Sequence, residues 1–388
     1  MTKLILPTRD GRLEEYVTGG PKALVRKAPR AYDRVVFAAA HVVADPLAAV
    51  DPWLDAPVDW DATLAVRQRL IDLGFGIAEA MDTAQRGMGL SWETAQELIR
   101  RSLEAFGSQS GTRLACGAGT DPLVAGGQWS LADVLAAYRQ QVEVVEGLGG
   151  QVILMASRAL ARCARGPDDY AEVYGRILDE VRQPVILHWL GPMFDPALEG
   201  YWGHRDLDAA TDACLAIIEA HAEKVEGMKI SLLDKEREVA MRRRLPRGIR
   251  MFTGDDFHFA ELIAGDAEGY SDALLGIFDG IAPLAANALG ELASGNVDRF
   301  HEILAPTVPL SRHVFAAPTR FYKTGLVCLA WLAGHQDHFV MIGGQQSARS
   351  IIHLAELFRL ADAAGLMPDP DRAAHRMRAL LAMHGIQS

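Results

Sequence analysis

Three observations predict that this 388-residue sequence is an α/β chain closed into a (β/α)8 (TIM) barrel, with an N-terminal β-hairpin extension and a C-terminal helical appendage. Short β-rich runs recur eight times, each followed by a longer helical stretch, the order that builds a parallel sheet covered by helices. Several runs are almost wholly apolar, such as Val152-Ile153-Leu154-Met155 and Val185-Ile186-Leu187. Continuous apolarity is what a strand buried on both faces requires. The first run leads into Ala38-Ala39-Ala40-His41. That junction lacks the glycine-rich phosphate turn expected of a doubly wound sheet, the alternative arrangement.

The elements follow in order. Residues 1–33 are expected to form the extension, with Leu4–Val17 read as two short strands around the turn signal Arg9-Asp10-Gly11. This hairpin is expected to cover the barrel floor or to pair with another chain. Residues 34–285 hold the barrel. Its strands are expected at Arg34–Val43, Gly76–Asp82, Arg113–Gly119, Gln151–Ser157, Pro184–Leu190, Glu226–Ser231, Gly248–Asp255 and Ala273–Phe278. Amphipathic segments lie between them, including Trp92–Phe106, Leu131–Gly147, Asp168–Arg182 and Asp208–Ala222. The first of these follows Ser91, a good N-cap, and stops before Gly107. Residues 286–388 read as helical, at Ala286–Leu304, Tyr322–Gly334 and Ser347–Ala364, with Pro306, Pro309 and Pro318 as breaks.

Composition narrows the function. A net charge of −11 argues against nucleic acid or an anionic membrane as a partner. No apolar stretch is long enough for a spanning helix. The first twelve residues carry only the short apolar run Leu4–Pro7, which reads as neither a secretory signal nor an anchor. Cys116, Cys163, Cys214 and Cys328 are far apart and form no CxxC pair, the pattern of reduced core cysteines in a cytoplasmic protein. The expected partner is a small molecule. The apolar run Leu326–Leu332 exceeds what a lone surface helix needs and suggests a homo-oligomer.

A barrel places its chemistry where the strands end. The polar residues closing the runs are His41, then Glu79, Asp82 and Thr83, then Thr120 and Asp121, then Ser157 and Arg158. His188 follows, then Lys229 and Ser231, and then Thr253, Asp255, Asp256 and His258. Such a crowd of titratable groups is costly unless it performs chemistry or binds something. Lys229 stands out because it lies inside a strand. Facing inward, it loses hydration, its pKa falls, and its neutral amine can attack a carbonyl to form a Schiff base. The other reading is a lysine paired with a carboxylate such as Asp255. The residues alone leave both open.

Gly227-Met228-Lys229-Ile230-Ser231 resembles the glycine–aliphatic–lysine–x–serine strand of the dihydrodipicolinate synthase / N-acetylneuraminate lyase superfamily. Pro184-Val185-Ile186-Leu187-His188-Trp189-Leu190-Gly191-Pro192 is similar to that family's fifth-strand segment. Thr253-Gly254-Asp255-Asp256 is similar to its SGDD turn, and Phe321-Tyr322-Lys323-Thr324-Gly325 resembles the start of its C-terminal helices. The likeness runs over about residues 55–340 and points to a divergent branch of unassigned activity. It implies a class I aldolase-type lyase or dehydratase that needs no cofactor beyond the Schiff base on Lys229. It also favours a homo-dimer or homo-tetramer.

The departures shape the expected site. His188 stands where most members carry a proton-relay tyrosine, and a histidine's ordinary pKa suits it as acid and base at neutral pH. The segment that grips a substrate carboxylate in the family becomes Asp82-Thr83-Ala84-Gln85-Arg86. Thr83 keeps one hydroxyl, while the charge of Asp82 repels a carboxylate. A keto-sugar or a sugar-derived keto acid is the expected substrate, with Lys229, His188 and Thr83 catalytic. Asp82, Arg158, Ser231, Asp255, Asp256 and Glu79 are expected to bind the substrate. The fourth-strand tyrosine segment is replaced by Ala156-Ser157-Arg158, and Arg158 restores anion binding if it faces the mouth. The long segment Met193–Asp206 suits a lid, a specificity wall or a subunit contact.

Two competing readings remain. A metal-dependent sugar isomerase, epimerase or lyase would use a divalent metal held by Glu79, Asp82, His188, Asp255 and His258. A non-catalytic sugar-binding protein on the same barrel is disfavoured by the buried amine.

Overall fold

The structure, a computed structural model, describes residues 2–20, 32–124 and 126–387. Two antiparallel strands, β1 (Lys3–Pro7) and β2 (Leu13–Val17), form the N-terminal hairpin. The rest of the expected extension includes residues 21–31, which lie outside the described residues. Eight parallel strands then close into a barrel. They are β3 (Val36–Ala39), β4 (Gly76–Glu79), β5 (Leu114–Ala118) and β6 (Gln151–Leu154), followed by β7 (Val185–Leu190), β8 (Val225–Ser231), β9 (Arg250–Thr253) and β10 (Asp272–Leu275). Each strand pairs with its neighbour in sequence, and β10 returns to pair with β3. Each of the eight expected runs overlaps one strand, although β8 and β10 begin one residue before theirs.

Strand alternation separates two layers. Phe37, Ala39, Ala78, Ala115, Ile153, Ile186, Phe252 and Leu274 cluster inside the barrel. Phe37 and Phe252 meet edge to face at 5.9 Å. Glycines leave room for both rings: a Cβ on Gly76 would lie 2.7 Å from Phe37, and one on Gly227 2.6 Å from Phe252. The intervening residues Leu187, Trp189, Met228 and Ile230 pack outward under the helices.

Those helices are α1 (Trp60–Asp72), α2 (Trp92–Phe106), α3 (Leu131–Gly147), α4 (Arg158–Cys163), α5 (Pro167–Glu180), α6 (Leu207–Ala220), α7 (Lys235–Arg242) and α8 (Phe259–Ala264). Side-chain caps set several starts, with Asp59, Ser91, Ser130, Ser157, Asp206 and Asp234 each accepting from a first-turn N–H. After β10 comes α9 (Ile277–Leu292), the helix of the eighth β/α unit since β6 is followed by both α4 and α5, so the expected boundary at 285/286 falls inside a helix.

The appendage continues as α10 (Val297–Leu304), α11 (Thr307–Val314), α12 (Tyr322–Ala333), α13 (Ile351–Ala364) and α14 (Pro370–Met383). The expected helix 286–304 is broken around Gly295, whose φ is +80°. α11 runs through residues read as breakers. Pro306 is its cap and Pro309 sits in its first turn, where a missing N–H costs nothing. Every residue of α12 is buried, packed against α9, α13 and α14. The apolar run that suggested a subunit contact is thus used within the chain. Of the two placements expected for the hairpin, the cover over the barrel floor is not the one its main contacts describe: β1 packs on α13 and α14, with Leu4 and Leu6 buried. Among the described residues, no helix is long and apolar enough to cross a membrane. Cys116, Cys214 and Cys328 are buried free thiols and Cys163 is half-buried.

Two polar residues expected at the mouth instead hold the barrel to its surroundings. Ile77 and Glu79 point outward from β4. Glu79 accepts from Arg67 of α1 at 2.8 and 2.9 Å, from Ser102 of α2 at 2.6 Å and from the backbone of Ala80 at 2.8 Å. Burial alone would raise its pKa, but Arg67 and the other donors hold it below its ordinary 4.5. His41 is fully engaged too: Nδ1 pairs with Asp279 of α9, and Nε2 meets Gln336 Oε1 at 2.9 Å.

Glu79→Gln leaves the Arg67 guanidinium buried without its counter-charge. It is expected to cost about 3–5 kcal/mol in chemical denaturation at neutral pH. Because the folded pKa of Glu79 is depressed, its contribution is full above 4.5 and fades as pH falls through the folded value. The gap between wild type and variant should therefore narrow in acid. A constant gap across that range would show that the carboxylate charge is not the source.

Candidate active site

Alternation along β7 and β8 turns His188, Lys229 and Ser231 inward. His188 and Lys229 are register partners, and His188 Nε2 lies 3.3 Å from Ser231 Oγ. The turn after β4 brings in Asp82 and Thr83, and the turn after β9 brings in Asp256. Lys229, Ser231, Asp82, Thr83 and Asp256 line one inner cavity, walled by Leu190, Phe194, Phe315 and Tyr322. An outer cleft adjoins it, lined by His188, Arg158, Thr120, Asp121 and Asp195. Asp82 and Leu190 belong to both. His188 therefore faces the outer cleft, and Ser231 connects it to the cavity of Lys229.

Lys229 is 7% exposed, and among the described residues no carboxylate lies within 4.0 Å of its amine. Burial pushes its pKa down, while the charges of Asp82 and Asp256 pull it back up. Asp256 is pushed up by burial, although it accepts from the Ile277 N–H at 3.0 Å and feels Lys229. The lysine stem needs the glycine beside it. A Cβ on Gly254 would lie 2.1 Å from Ser231 Oγ and 3.0 Å from Lys229 Cε.

His188 differs from its expected role. Burial, and then the charge of Lys229, push its pKa well below 6.5, so the imidazole is neutral at physiological pH. Its Nδ1 is buried without a hydrogen-bond partner among the described residues. The lowered pKa favours the neutral imidazole, which can donate or accept a hydrogen bond.

Other expected residues serve the scaffold. Asp255 caps its own turn, accepting from the N–H groups of Phe257 at 2.8 Å and His258 at 3.0 Å and meeting His258 Nδ1 at 3.0 Å. It does not line the Lys229 cavity, which corrects its expected place among the substrate ligands. Thr253 donates to Glu238 at 3.0 Å. Thr120 and Ser157 share a hydroxyl contact at 2.7 Å. Asp121 is paired with Arg86 at 2.7 Å. Arg158 reaches the outer cleft, half exposed and ion-paired with Asp195. In the long segment after β7, Phe194 walls the inner cavity, whereas Tyr201 and Trp202 are buried against α5.

The metal reading loses its ligand set. Glu79 is bound to Arg67 outside the barrel, and Asp255 and His258 face each other in a turn. Among the described residues, no three His, Cys, Asp or Glu side chains converge.

One residue has a larger part than sequence reasoning gave it, and two others nearby carry shifted pKa values without lining either cavity. Tyr322 enters the inner cavity from α12, with its hydroxyl 2.8 Å from Thr83 Oγ1. Lys323, buried beside it, donates to the Arg320 carbonyl at 3.0 Å, and burial lowers its pKa to about 8 against the pull of Asp82. Glu238 is raised by burial to about 8 behind β9 and donates no wall to either cavity. The segment Phe321–Gly325 was legible as a helix start, but nothing local in it points to a barrel cavity.

Solved structures share this fold. Dihydrodipicolinate synthase from Aquifex aeolicus matches with a TM-score of 0.61 at 12% identity, covering 91% of this chain and 98% of that one. A prophage protein of the dihydrodipicolinic acid synthase family from E. coli K12, in complex with pyruvate, matches with a TM-score of 0.63 at 12% identity, covering 91% and 99%. The chloride-inhibited dihydrodipicolinate synthase from Acinetobacter baumannii, complexed with pyruvate, matches with a TM-score of 0.62 at 14% identity, covering 86% and 99%. At such identities the likeness carries the fold. No curated protein matches the chain. A family model described as "Protein of unknown function (DUF993)" matches residues 4–386, nearly the whole sequence, and the chain belongs to that family.

Proposed function

We propose that this protein is a Schiff-base-forming lyase or aldolase acting on a carbonyl compound that is uncharged next to its carbonyl, such as a keto-sugar. One observation carries the reading: a lysine amine buried in a barrel-mouth cavity, lowered in pKa and unpaired by any carboxylate within 4.0 Å among the described residues. Structural lysines deep in a protein are ordinarily paired, because an isolated buried ammonium is costly. The likeness of fold to dihydrodipicolinate synthases supports the same chemistry.

In the first step the nitrogen lone pair of neutral Lys229 attacks the carbonyl carbon. The oxygen leaves as water, and an iminium remains. The iminium draws electrons from a neighbouring bond. In a cleavage, the β-hydroxyl loses its proton, the Cα–Cβ bond breaks, and an aldehyde and an enamine result. Protonation of the enamine carbon and hydrolysis then free the second product and Lys229.

Asp82 and Asp256 flank the amine and define what fits. A carboxylate on the carbon beside the carbonyl would meet like charge from Asp82, while hydroxyls there find acceptors. Pyruvate, held by two of the similar structures, is therefore a poor candidate here. Arg158 at the outer cleft offers a cation for the distal end of a longer substrate. His188, neutral and bonded to Ser231, orients hydroxyl groups.

Incubation with dihydroxyacetone and borohydride should leave a reduced adduct on Lys229, read by peptide mass spectrometry. Lys229→Ala should leave none, and an unlabelled wild-type Lys229 would sink the reading. The rate of adduct formation should rise with pH and level off below 10.5, the value of a free lysine, because the attacking form is the neutral amine. Asp82→Asn should shift labelling from dihydroxyacetone towards pyruvate by on the order of tenfold, the scale of one removed like charge near the surface of a site. An unchanged preference would show that Asp82 does not select the substrate.

A further inference from the structure

We infer that Tyr322, delivered by the C-terminal helix α12, is the catalytic phenol of the Lys229 site and works with Thr83 as a hydroxyl pair that moves the proton during Schiff-base formation. The inference rests on the lyase reading and adds a group that the reading leaves without an owner. Attack by a neutral amine creates an ammonium nitrogen and an alkoxide oxygen on one carbon. A proton must pass from nitrogen to oxygen before water can leave. His188 lines the outer cleft and not the cavity of Lys229. Ser231 is engaged with His188. A carboxylate could accept the proton, but a hydroxyl that both donates and accepts can hand it across without forming a new charge.

The geometry supplies such a hydroxyl. Thr83 Oγ1 and the Tyr322 hydroxyl are 2.8 Å apart, both residues are buried, and both line the cavity that holds Lys229. The ring is fixed on three sides. Phe315 stacks on it at 4.4 Å with planes 15° apart, and Phe194 meets it in a T-shaped contact at 6.2 Å. On the third side is Gly276, where even a Cβ would come within 3.2 Å of the ring. A tyrosine held so tightly spends little freedom in placing its hydroxyl. Asp82 and Asp256 bear on the phenol and, with burial, keep it protonated. It therefore acts as a relay and not as a phenolate base.

The step balances. The adduct nitrogen gives one proton to the hydroxyl pair as the pair gives one to the alkoxide oxygen. The products are the neutral carbinolamine and the pair in its starting state. No oxidant, reductant or further reactant enters.

The test follows adduct formation with dihydroxyacetone and cyanoborohydride in the full-length protein, sampled over time by mass spectrometry. Tyr322→Phe removes one oxygen and keeps the packed ring, and thermal unfolding checks that the fold survives. The initial rate should fall on the order of tenfold to a hundredfold, within the range of a positioned proton-transfer group. The final extent of labelling should match wild type. Thr83→Val should slow the reaction similarly, and the double variant should be little slower than either single one, because the two hydroxyls act as a unit. A wild-type rate in folded Tyr322→Phe, or additive losses in the double variant, would overturn the inference while leaving the lysine in place. Absence of any adduct on wild-type Lys229 would overturn the lyase reading and this inference with it.

Discussion

Keeping an amine unpaired inside a barrel is the constraint on which the rest of this site depends. Water is the natural partner of an ammonium, and burial removes it. The chain does not replace water with a contact ion pair. Asp82 and Asp256 bear on Lys229 from a distance, near enough to moderate its loss of basicity and too far to consume it. The neighbouring choices follow. Gly254 leaves space for the lysine stem, and burial, then any charge on Lys229, holds the pKa of His188 across the strand pair low. Asp256 holds its proton more tightly because it too is buried.

The barrel was legible in the sequence because parallel strands covered by helices need apolar residues on both faces, and eight such runs recur. Lys229 was legible for a related reason. Gly227, Lys229 and Ser231 stand two apart, so one face of β8 carries a space, an amine and a hydroxyl. The same two-residue rule explains the misplaced carboxylate. Ala78 lines the interior, so Glu79 must point to the helices, where Arg67 receives it. Reading the strand as far as Asp82 hid this. The strand ends at Glu79, Ala80 takes a positive φ of 52°, and the turn delivers Asp82 and Thr83 to the cavity instead. Adjacent Asp255 and Asp256 divide likewise, one capping the turn and the other entering the cavity.

The helical region was harder to read because its punctuation misleads. Pro306 and Pro309 resemble breaks, yet both fall where a helix begins and an N–H has no intrahelical partner to lose. The apolar run of α12 resembled a surface for another subunit. In the fold it is covered on all sides by the chain's own helices. Tyr322 was beyond reach for a different reason. Its partner Thr83 lies 239 residues earlier, and no local pattern records a contact closed by the whole fold.

That contact changes what the appendage is for. The barrel strands supply the amine, but Phe315 and Tyr322 supply a wall of its cavity, and both come after the helix of the eighth β/α unit. Tyr322 is positioned by α12, α12 packs on α13 and α14, and those two helices carry the N-terminal hairpin through β1. Arg359 of α13 also donates to the Pro7 carbonyl at 3.0 Å, tying the first strand to the same stack. A continuous line of packing therefore runs from the first residues of the chain to the hydroxyl beside Lys229. Loosening the hairpin bears on α13 and α14 first, and through them on the helix that holds the phenol in place. The two attachments to the barrel are on this account parts of one support, and the site they complete spans a boundary that a division into barrel and appendage would cut.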